Sequence, residues 1–241
     1  MIRFDDRAAF AAALADLPAP DAGATESAAA RQRVLTKPAG SLGRLEEIAL
    51  FMAGWQGRER PRAERIRAAI FAGNHGVAAR GVSAFPAEVT AQMVANFRHG
   101  GAAINALAQA CGAELAVVAL DLERPTDDIC VAAAMSEADC LSAINAGAVA
   151  VEPGLDLLLL GEMGIANSTP AAALCAQAFG AAAAHWVGRG TGVDGDGLAR
   201  KAEAVARALA LHGARCADAF ETLRRLGGRE IAALAGAVLA A

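Results

Sequence analysis

Two short apolar runs, each ending in a glycine-containing loop, constrain the fold of this chain most strongly. The first covers residues 67–72 and leads into Gly73-Asn74-His75-Gly76; the second covers residues 155–160 and leads into Gly161-Glu162-Met163-Gly164. A third Val- and Leu-rich run, residues 114–121, lies between them. Because helical segments of ten or more residues separate these runs, the pattern predicts buried parallel strands joined by right-handed crossovers.

We therefore expect an α/β fold with a doubly wound, mainly parallel sheet flanked by helices. Residues 1–60 have helical patterns broken by turn-rich stretches, which predicts a small helical subdomain that leads into the core. Residues 61–241 are expected to form the α/β nucleotide-binding core. Beyond the strands, we expect helices over residues 86–98, 101–111, 136–149, 169–179, 197–212, 217–226 and 229–240, and only a doubtful strand over residues 181–187.

Composition narrows the classes of function. The net charge of −4 argues against a nucleic-acid partner, because phosphate-backbone binders usually carry a basic surplus. No apolar run is long enough to cross a bilayer, and residues 1–7 lack the apolar segment of a secretory signal, so we expect a cytoplasmic protein without a membrane partner. The five cysteines and four histidines have no metal-binding or redox spacing, so we predict buried free thiols, no metal and no cofactor.

The strongest motif is residues 161–169, Gly-Glu-Met-Gly-Ile-Ala-Asn-Ser-Thr, at the passage from a strand into a helix. Small residues let backbone N–H groups approach a phosphate, the helix N-terminus adds a partial positive charge, and Ser168 or Thr169 can cap that helix. An ordinary strand-to-helix turn explains the spacing equally well. Glu162 favours a ligand site, since a carboxylate at the mouth of a parallel sheet usually meets a ligand or partner.

Two further features are weaker. Residues 188–194, Gly-Arg-Gly-Thr-Gly-Val-Asp, precede a helix that contains Lys201, but they match neither the Walker nor the dinucleotide fingerprint, and such a lysine is more often solvated. His75 follows a strand and could act as an acid, a base or a ligand, although a hydrogen-bonded structural imidazole is the favoured interpretation. One set of apolar residues could form either the wall of a ring-binding pocket or part of the ordinary core. Its members are Val82, Phe85, Val89 and Met93.

Four segments, residues 37–46, 72–97, 161–169 and 188–201, together resemble the nicotinate-nucleotide:dimethylbenzimidazole phosphoribosyltransferase family, in the same order and at compatible spacings over nearly the whole chain. The resemblance implies transfer of phosphoribose from nicotinate mononucleotide to 5,6-dimethylbenzimidazole, giving α-ribazole 5'-phosphate and nicotinate for the lower ligand of cobalamin. It also implies a homodimer with a doubly wound core and a smaller helical domain.

The resemblance also implies roles for individual residues. Glu162 would contact the nucleotide and is the only carboxylate in these motifs that could act as the base. Nicotinate leaves as a neutral pyridine, so the site needs no general acid; it must stabilise an oxocarbenium-like ribose and remove the benzimidazole proton. The implied benzimidazole contacts are Ser83, Val89 and Gln92. The implied nucleotide contacts are Met163, Gly164, Ile165, Ala166, Asn167, Ser168, Thr169, Gly190, Gly192 and Lys201.

The chain departs from the family pattern in three respects. Asn74 stands where the family usually has aspartate, and Ala166 stands where its phosphate turn usually has glycine, so we expect a weakened phosphate site. Family members continue beyond the position that matches Ala241, into a glycine-rich segment with the glutamate proposed as general base. The nearly apolar helix of residues 231–239 therefore predicts a covering partner chain or a lost covering segment. The alternative function is a catalytically impaired, shortened homologue that binds benzimidazole or nucleotide.

Overall fold

A parallel three-stranded sheet forms the centre of the computed structural model, which describes residues 2–241. Its strands are β1 (Ile66–Ala72), β2 (Glu114–Ala119) and β3 (Leu157–Met163), in the order β2-β1-β3. β1 is the central strand, and its residues from Arg67 onward are buried. The α/β class and the parallel pairing expected from the sequence are confirmed.

Helices join and cover the strands. The β1–β2 connection contains α4 and α5, and the β2–β3 connection returns past β1 and contains α6. Because parallel crossovers are right-handed, connections that run in opposite directions place their helices on opposite faces of the sheet, which makes the fold doubly wound. The helices are α1 (Arg7–Ala15), α2 (Ala22–Val34), α3 (Arg44–Gln56), α4 (Val89–Arg98), α5 (Ala103–Cys111), α6 (Glu137–Val149), α7 (Ser168–Phe179), α8 (Ala183–Trp186), α9 (Gly195–His212), α10 (Ala219–Leu226) and α11 (Arg229–Ala240), with 3-10 turns at Gly76–Arg80 and Gly213–Arg215.

Three local predictions need correction. Strand β3 continues through Met163, so Gly161, Glu162 and Met163 are strand residues and the turn begins at Gly164. The reason is pairing with β1, where Phe71 lies opposite Glu162 and the Gly73 N–H donates to the Met163 carbonyl at 3.0 Å. Helix α4 begins only at Val89, because a turn over residues 87–88 precedes it. The doubtful strand over residues 181–187 is helix α8.

One face of the last helix is covered by its own chain. Helix α11 packs against α6 and against β1 and β3, with Ala233 and Ala237 buried beside Phe71. The helices α6 and α11 approach at glycines: a Cβ on Gly147 would lie 1.8 Å from the Ala233 carbonyl oxygen, and one on Gly236 would lie 1.9 Å from that of Ile144. The inner face of α11 is therefore covered by its own chain, while Val238 on the outer face is 59% exposed, so a partner chain or another segment over that face stays a prediction.

The N-terminal helices pack in two different ways. Phe10 of α1 stacks edge-on between Phe4 and Phe220, with ring centroids 6.1 and 5.9 Å apart, so α1 joins the main core. Helices α2 and α3 pack against each other. The division of the chain at residue 60 stays a prediction. Among the described residues, no helix is both long and apolar enough to cross a bilayer.

Candidate functional site

The site lies at the crevice between the carboxyl ends of β1 and β3. These strands are neighbours in the sheet, and open α/β sheets bind ligands in the crevice beyond the carboxyl ends of their strands. A pocket opens there between the turn after β3, the loop after β1 and the glycine loop before α9. The expected site residues that line it are Ser83, Gly164, Ala166, Asn167, Ser168, Gly190 and Lys201, and Val82 and Thr191 complete its wall.

The turn after β3 has a defined backbone. The Ile165 N–H donates to the buried Thr90 hydroxyl at 3.1 Å, which ties the turn to α4. Ala166 has a φ of 72°, in the left-handed region where a side chain costs about 1 kcal/mol or more. The chain thus adopts here the conformation that a glycine would adopt without strain. Because Ala166 to Ser168 line the pocket, the positive end of the α7 dipole lies at the pocket wall.

The expected cap on α7 is absent from the described contacts. Asn167 occupies the N-cap position and makes no side-chain cap, and the Thr169 hydroxyl is buried without a partner. The Ser168 hydroxyl instead accepts a hydrogen bond from the Lys201 ammonium at 2.9 Å. This hydrogen bond therefore joins the first turn of α7 to α9 at the pocket wall.

Lys201 is a buried cation. Only 1% of the residue is exposed, and its Nζ also donates to the Gly188 carbonyl at 2.9 Å. Burial lowers the pKa of Lys201, and no carboxylate among the described residues forms an ion pair with it. The interpretation of Lys201 as a solvated helix lysine is wrong. A buried ammonium with only neutral partners is suited to an anionic ligand, because an anion would offset its desolvation.

The glycine loop before α9 permits the close approach to Lys201. A Cβ on Gly190, whose φ is 52°, would lie 3.2 Å from the lysine Nζ and 3.3 Å from the Ser168 hydroxyl. Across the mouth of the pocket, the hydroxyls of Ser83 and Thr191 are 3.5 Å apart. The loop after β1 and the loop before α9 therefore meet at the pocket rim.

Glu162 lies near the end of β3, beside the pocket. Its side chain is accessible to solvent, and the Asn167 amide donates a hydrogen bond to its carboxylate. The surrounding protein displaces water from this carboxylate and thereby raises the pKa of Glu162. The hydrogen bond from Asn167 lowers the pKa. Glu230 has a smaller effect that raises it, and His75 has a smaller effect that lowers it. A carboxylate with a raised pKa is a better proton acceptor than an ordinary surface glutamate.

Six other expected site residues also lie outside the pocket lining. Ile165 and Thr169 are buried in the interior, while Val89 and Met163 are partly buried against the main core. Gln92 is exposed on α4, and Gly192 is exposed in the glycine loop. Of the apolar set, Val82 is buried at the pocket wall and Phe85 is exposed.

Sequence reasoning missed three residues of this region. Thr90 anchors the turn, Thr191 lines the pocket, and Glu230 forms a buried hydrogen bond of 2.8 Å with His75 Nε2. The last contact confirms the interpretation of His75 as a hydrogen-bonded imidazole. A signal for Glu230 was available, since after Arg229 it is the one charged residue of α11 and it lies two residues beyond the Gly227-Gly228 pair. Within residues 2–241, no three His, Cys, Asp or Glu side chains are grouped as metal ligands.

The comparisons with known proteins agree on one family. The family model described as phosphoribosyltransferase matches residues 17–241. The chain is 64% identical over 241 residues to the nicotinate-nucleotide–dimethylbenzimidazole phosphoribosyltransferase of Novosphingobium aromaticivorans, covering 100% of this chain and 71% of that protein. It is 57% identical over 236 residues to the protein of the same name from Ruegeria pomeroyi, covering 98% of this chain and 70% of that protein.

The fold agrees with the sequence matches. The crystal structure of CobT from Thermus thermophilus superimposes with a TM-score of 0.79 at 39% identity, over 90% of this chain and 71% of that one. This chain thus spans about seven tenths of the length of the relatives it matches. From its sequence and its fold, the chain belongs to the nicotinate-nucleotide–dimethylbenzimidazole phosphoribosyltransferase family.

Proposed function

We propose that this chain transfers the phosphoribosyl group of nicotinate mononucleotide to 5,6-dimethylbenzimidazole, giving α-ribazole 5'-phosphate and nicotinate for the lower ligand of cobalamin. The observation that supports this most directly is a pocket that combines a buried lysine, without an acidic partner, and the N-terminus of a helix. Both features favour a phosphate group.

The phosphate is held between two elements in this proposal. Lys201 supplies the positive charge from α9, and Ser168 and the preceding turn supply neutral hydrogen-bonding groups at the start of α7. The ribose then extends toward the carboxyl end of β3, where Glu162 lies. The remaining turn residues Met163, Ile165 and Thr169, with the loop residues Gly190 and Gly192, support the shape of this nucleotide site.

The reaction replaces one C1′–N bond with another. The bond to the pyridine nitrogen breaks and nicotinate leaves with the electron pair, so no proton is needed on the leaving group. One nitrogen of the benzimidazole forms the new bond to C1′, and the proton on its other nitrogen passes to a base, for which we propose Glu162. Ser83 at the pocket rim, with Val89 and Gln92 of α4, would face the benzimidazole.

A turnover assay tests the proposal. The purified chain is incubated with nicotinate mononucleotide and 5,6-dimethylbenzimidazole, and α-ribazole 5'-phosphate is measured by chromatography with mass detection. We expect product from the wild type, and Lys201→Met is expected to raise KM for nicotinate mononucleotide roughly tenfold to a hundredfold, because a hydrogen bond to a charged group contributes about 1.5–3 kcal/mol.

The matched control is Arg207→Met, which removes one positive charge from the same helix, where its side chain bonds the Cys130 carbonyl. This variant is expected to keep the wild-type KM. The absence of product at every protein concentration would contradict the catalytic proposal. Calorimetric binding of either substrate without turnover would then support the alternative, a homologue that binds benzimidazole or nucleotide without catalysis.

We also propose that the protein acts as a homodimer in the cytoplasm. Helix α3 presents large apolar side chains to solvent, with Leu45 and Phe51 each 63% exposed and Trp55 49% exposed. A contiguous apolar surface of this kind is typical of an interface. All five cysteines lie within the described residues and are free thiols, which suits a reducing compartment, although only Cys130 and Cys140 are buried as expected.

A further inference from the structure

Two arginines hold the loop that leads from β1 to α4. Arg80 ends the 3-10 turn of this loop, and its Nε donates to the Asp128 carboxylate at 2.6 Å. Arg200 of α9 donates from its Nε to the Gly81 carbonyl at 3.0 Å. The two contacts fall on consecutive residues of the loop, immediately before residues 82–83, which line the candidate site. Both arginines therefore act on the backbone that leads into the pocket wall.

Asp128 belongs to a well-packed part of the connection after β2. Its second carboxylate oxygen accepts the Cys130 N–H at 2.9 Å. Cys130 is 2% exposed and is fastened to α9, because its carbonyl accepts from Arg207 at 3.1 Å and its thiol donates to the Ala204 carbonyl at 3.4 Å. The loop after β1 is thus joined to α9 twice, directly through Arg200 and indirectly through Asp128.

The segment that the arginines hold has few other polar contacts. Gly81 has a φ of 66°, and among the described residues the backbone of residues 82–85 makes no hydrogen bond with another helix or strand. Val82 packs into the main core. Beyond its own loop, the Ser83 hydroxyl contacts the Thr191 hydroxyl, at 3.5 Å across the pocket mouth. The orientation of Ser83 therefore depends on the backbone just before Val82, where the arginines bind.

Helix α9 supports both ends of the pocket. Lys201, the proposed phosphate contact, directly follows Arg200, and successive residues of a helix point about 100° apart. Lys201 therefore faces the start of α7 while Arg200 reaches Gly81. Group transfer requires the reacting atoms to be held about 3–3.5 Å apart, so the phosphate end and the acceptor end of a site must be fixed relative to each other. A single helix that binds both ends meets this requirement.

We propose that Arg80 and Arg200 are positioning residues that hold residues 81–83 at the pocket and thereby set the affinity for the benzimidazole acceptor. Neither side chain lines the pocket, so both act through the loop. This inference rests on the function proposed above, in which Ser83 faces the benzimidazole. Loss of either contact affects the acceptor and spares the nucleotide, because the phosphate is held by Lys201 and the start of α7.

Steady-state kinetics measure this difference between the two substrates. Arg80→Met and Arg200→Met each remove one hydrogen bond of a charged group, and each is expected to raise KM for 5,6-dimethylbenzimidazole about threefold to tenfold while KM for nicotinate mononucleotide stays within about twofold of the wild type. Arg80→Lys keeps a cation for Asp128 and is expected to recover most of the wild-type value. Equal changes in KM for both substrates, or no change in either, would overturn the proposal.

The matched control is Arg7→Met. Arg7 also forms an ion pair of 2.6 Å, with Asp218, but this pair joins α1 to the start of α10 and lies outside the pocket lining. Its loss is expected to lower the unfolding temperature about as much as Arg80→Met does, without changing either KM. A similar rise of KM for 5,6-dimethylbenzimidazole in this variant would attribute the effect to general destabilisation and contradict the proposal.

Hydrogen exchange tests the positioning role without turnover. The backbone amides of residues 78–86 are followed by mass spectrometry in the wild type, Arg80→Met and Arg200→Met. Faster exchange is expected there in both variants, with unchanged exchange in residues 161–169. This result is expected even if the chain makes no product, an outcome that would contradict the proposed function alone. Unchanged exchange of residues 78–86 in either variant would overturn the inference, whatever the turnover assay shows.

Discussion

At the scale of single residues, Asn167 takes part in both proposed functions of the site, the binding of phosphate and the removal of a proton. Its backbone lies at the start of α7, in the proposed phosphate site, and its side-chain amide donates to Glu162, the proposed base. This donation favours the charged carboxylate and partly opposes the desolvation by surrounding protein that raises the pKa of Glu162. The balance between these effects determines the pH at which the base becomes available.

Asn167→Ala is therefore expected to raise the pKa of Glu162 further. A base acts in its deprotonated form, so activity falls as pH decreases through this pKa, and the acid limb of the kcat/KM profile is expected to move to higher pH. The control is Ser83→Ala, which changes a pocket-lining hydroxyl away from Glu162 and is expected to change the height of the profile without moving its limb. An unmoved limb in Asn167→Ala would argue against Glu162 as the base.

Ala166 gives a prediction about stability. Ala166→Gly removes a buried methyl but relieves a positive φ, so the two effects offset and the free energy of unfolding is expected to stay within about 1 kcal/mol of the wild type. Ala173→Gly removes an equally buried methyl from the middle of α7 and is expected to cost about 1–2 kcal/mol. Urea unfolding of both variants measures the difference, and equal losses would contradict the strain at Ala166.

At the scale of elements, the glycine contact between α6 and α11 holds the C-terminal helix on the sheet. Gly236→Ala places a methyl against the Ile144 carbonyl and is expected to cost about 2–3 kcal/mol, because the helices must separate. Gly195→Ala, at the start of α9, is the control, since nothing lies within 4 Å of a Cβ added there. This change is expected to leave the free energy of unfolding unchanged or to increase it by about 0.5 kcal/mol. Thermal or urea unfolding compares the two, and similar stabilities would show that α6 and α11 can separate at little cost.

The sequence predicted the identity of nearly all elements, because their apolar periodicity is local. It placed the end of β3 too early, since Gly161 and Glu162 have low strand propensity and become strand residues only through pairing with β1. It also did not predict which segment covers the inner face of α11. The covering helix α6 is about ninety residues away in the sequence, and the contact depends on Gly147 and Gly236, which have no periodic signature.

In the candidate site, too, features set by local sequence could be predicted and features set by contacts between distant segments could not. Glycine loops and strand ends can be located from the sequence, so the motifs placed Ser168 and Gly190 where a pocket forms, and the family resemblance added Ser83. The burial of Lys201 could not be predicted, since it depends on the packing of α9 against α7. Contacts between distant segments decide which side chains are buried, and one sequence does not contain them.

At the scale of the whole molecule, the apolar surface of α3 leads to a prediction about assembly. If α3 forms the dimer interface, Phe51→Glu is expected to convert a dimer to a monomer, because it places a charge in a surface that would be desolvated. Leu107→Glu changes a side chain on α5 that is similarly exposed, at 64%, and is expected to leave the mass unchanged. Light scattering after size-exclusion chromatography measures the mass, and a wild-type monomer would contradict the proposed homodimer.

The hydrogen bond between His75 and Glu230 joins residues separated by 155 positions. Because closing such a large loop costs chain entropy, we expect this contact to form late in folding. The strands and most helices can then be present while this contact is still missing. In kinetic terms, the site would be among the last parts of the molecule to form, so the gain of ligand binding during refolding would report completion of the fold better than the gain of helical signal.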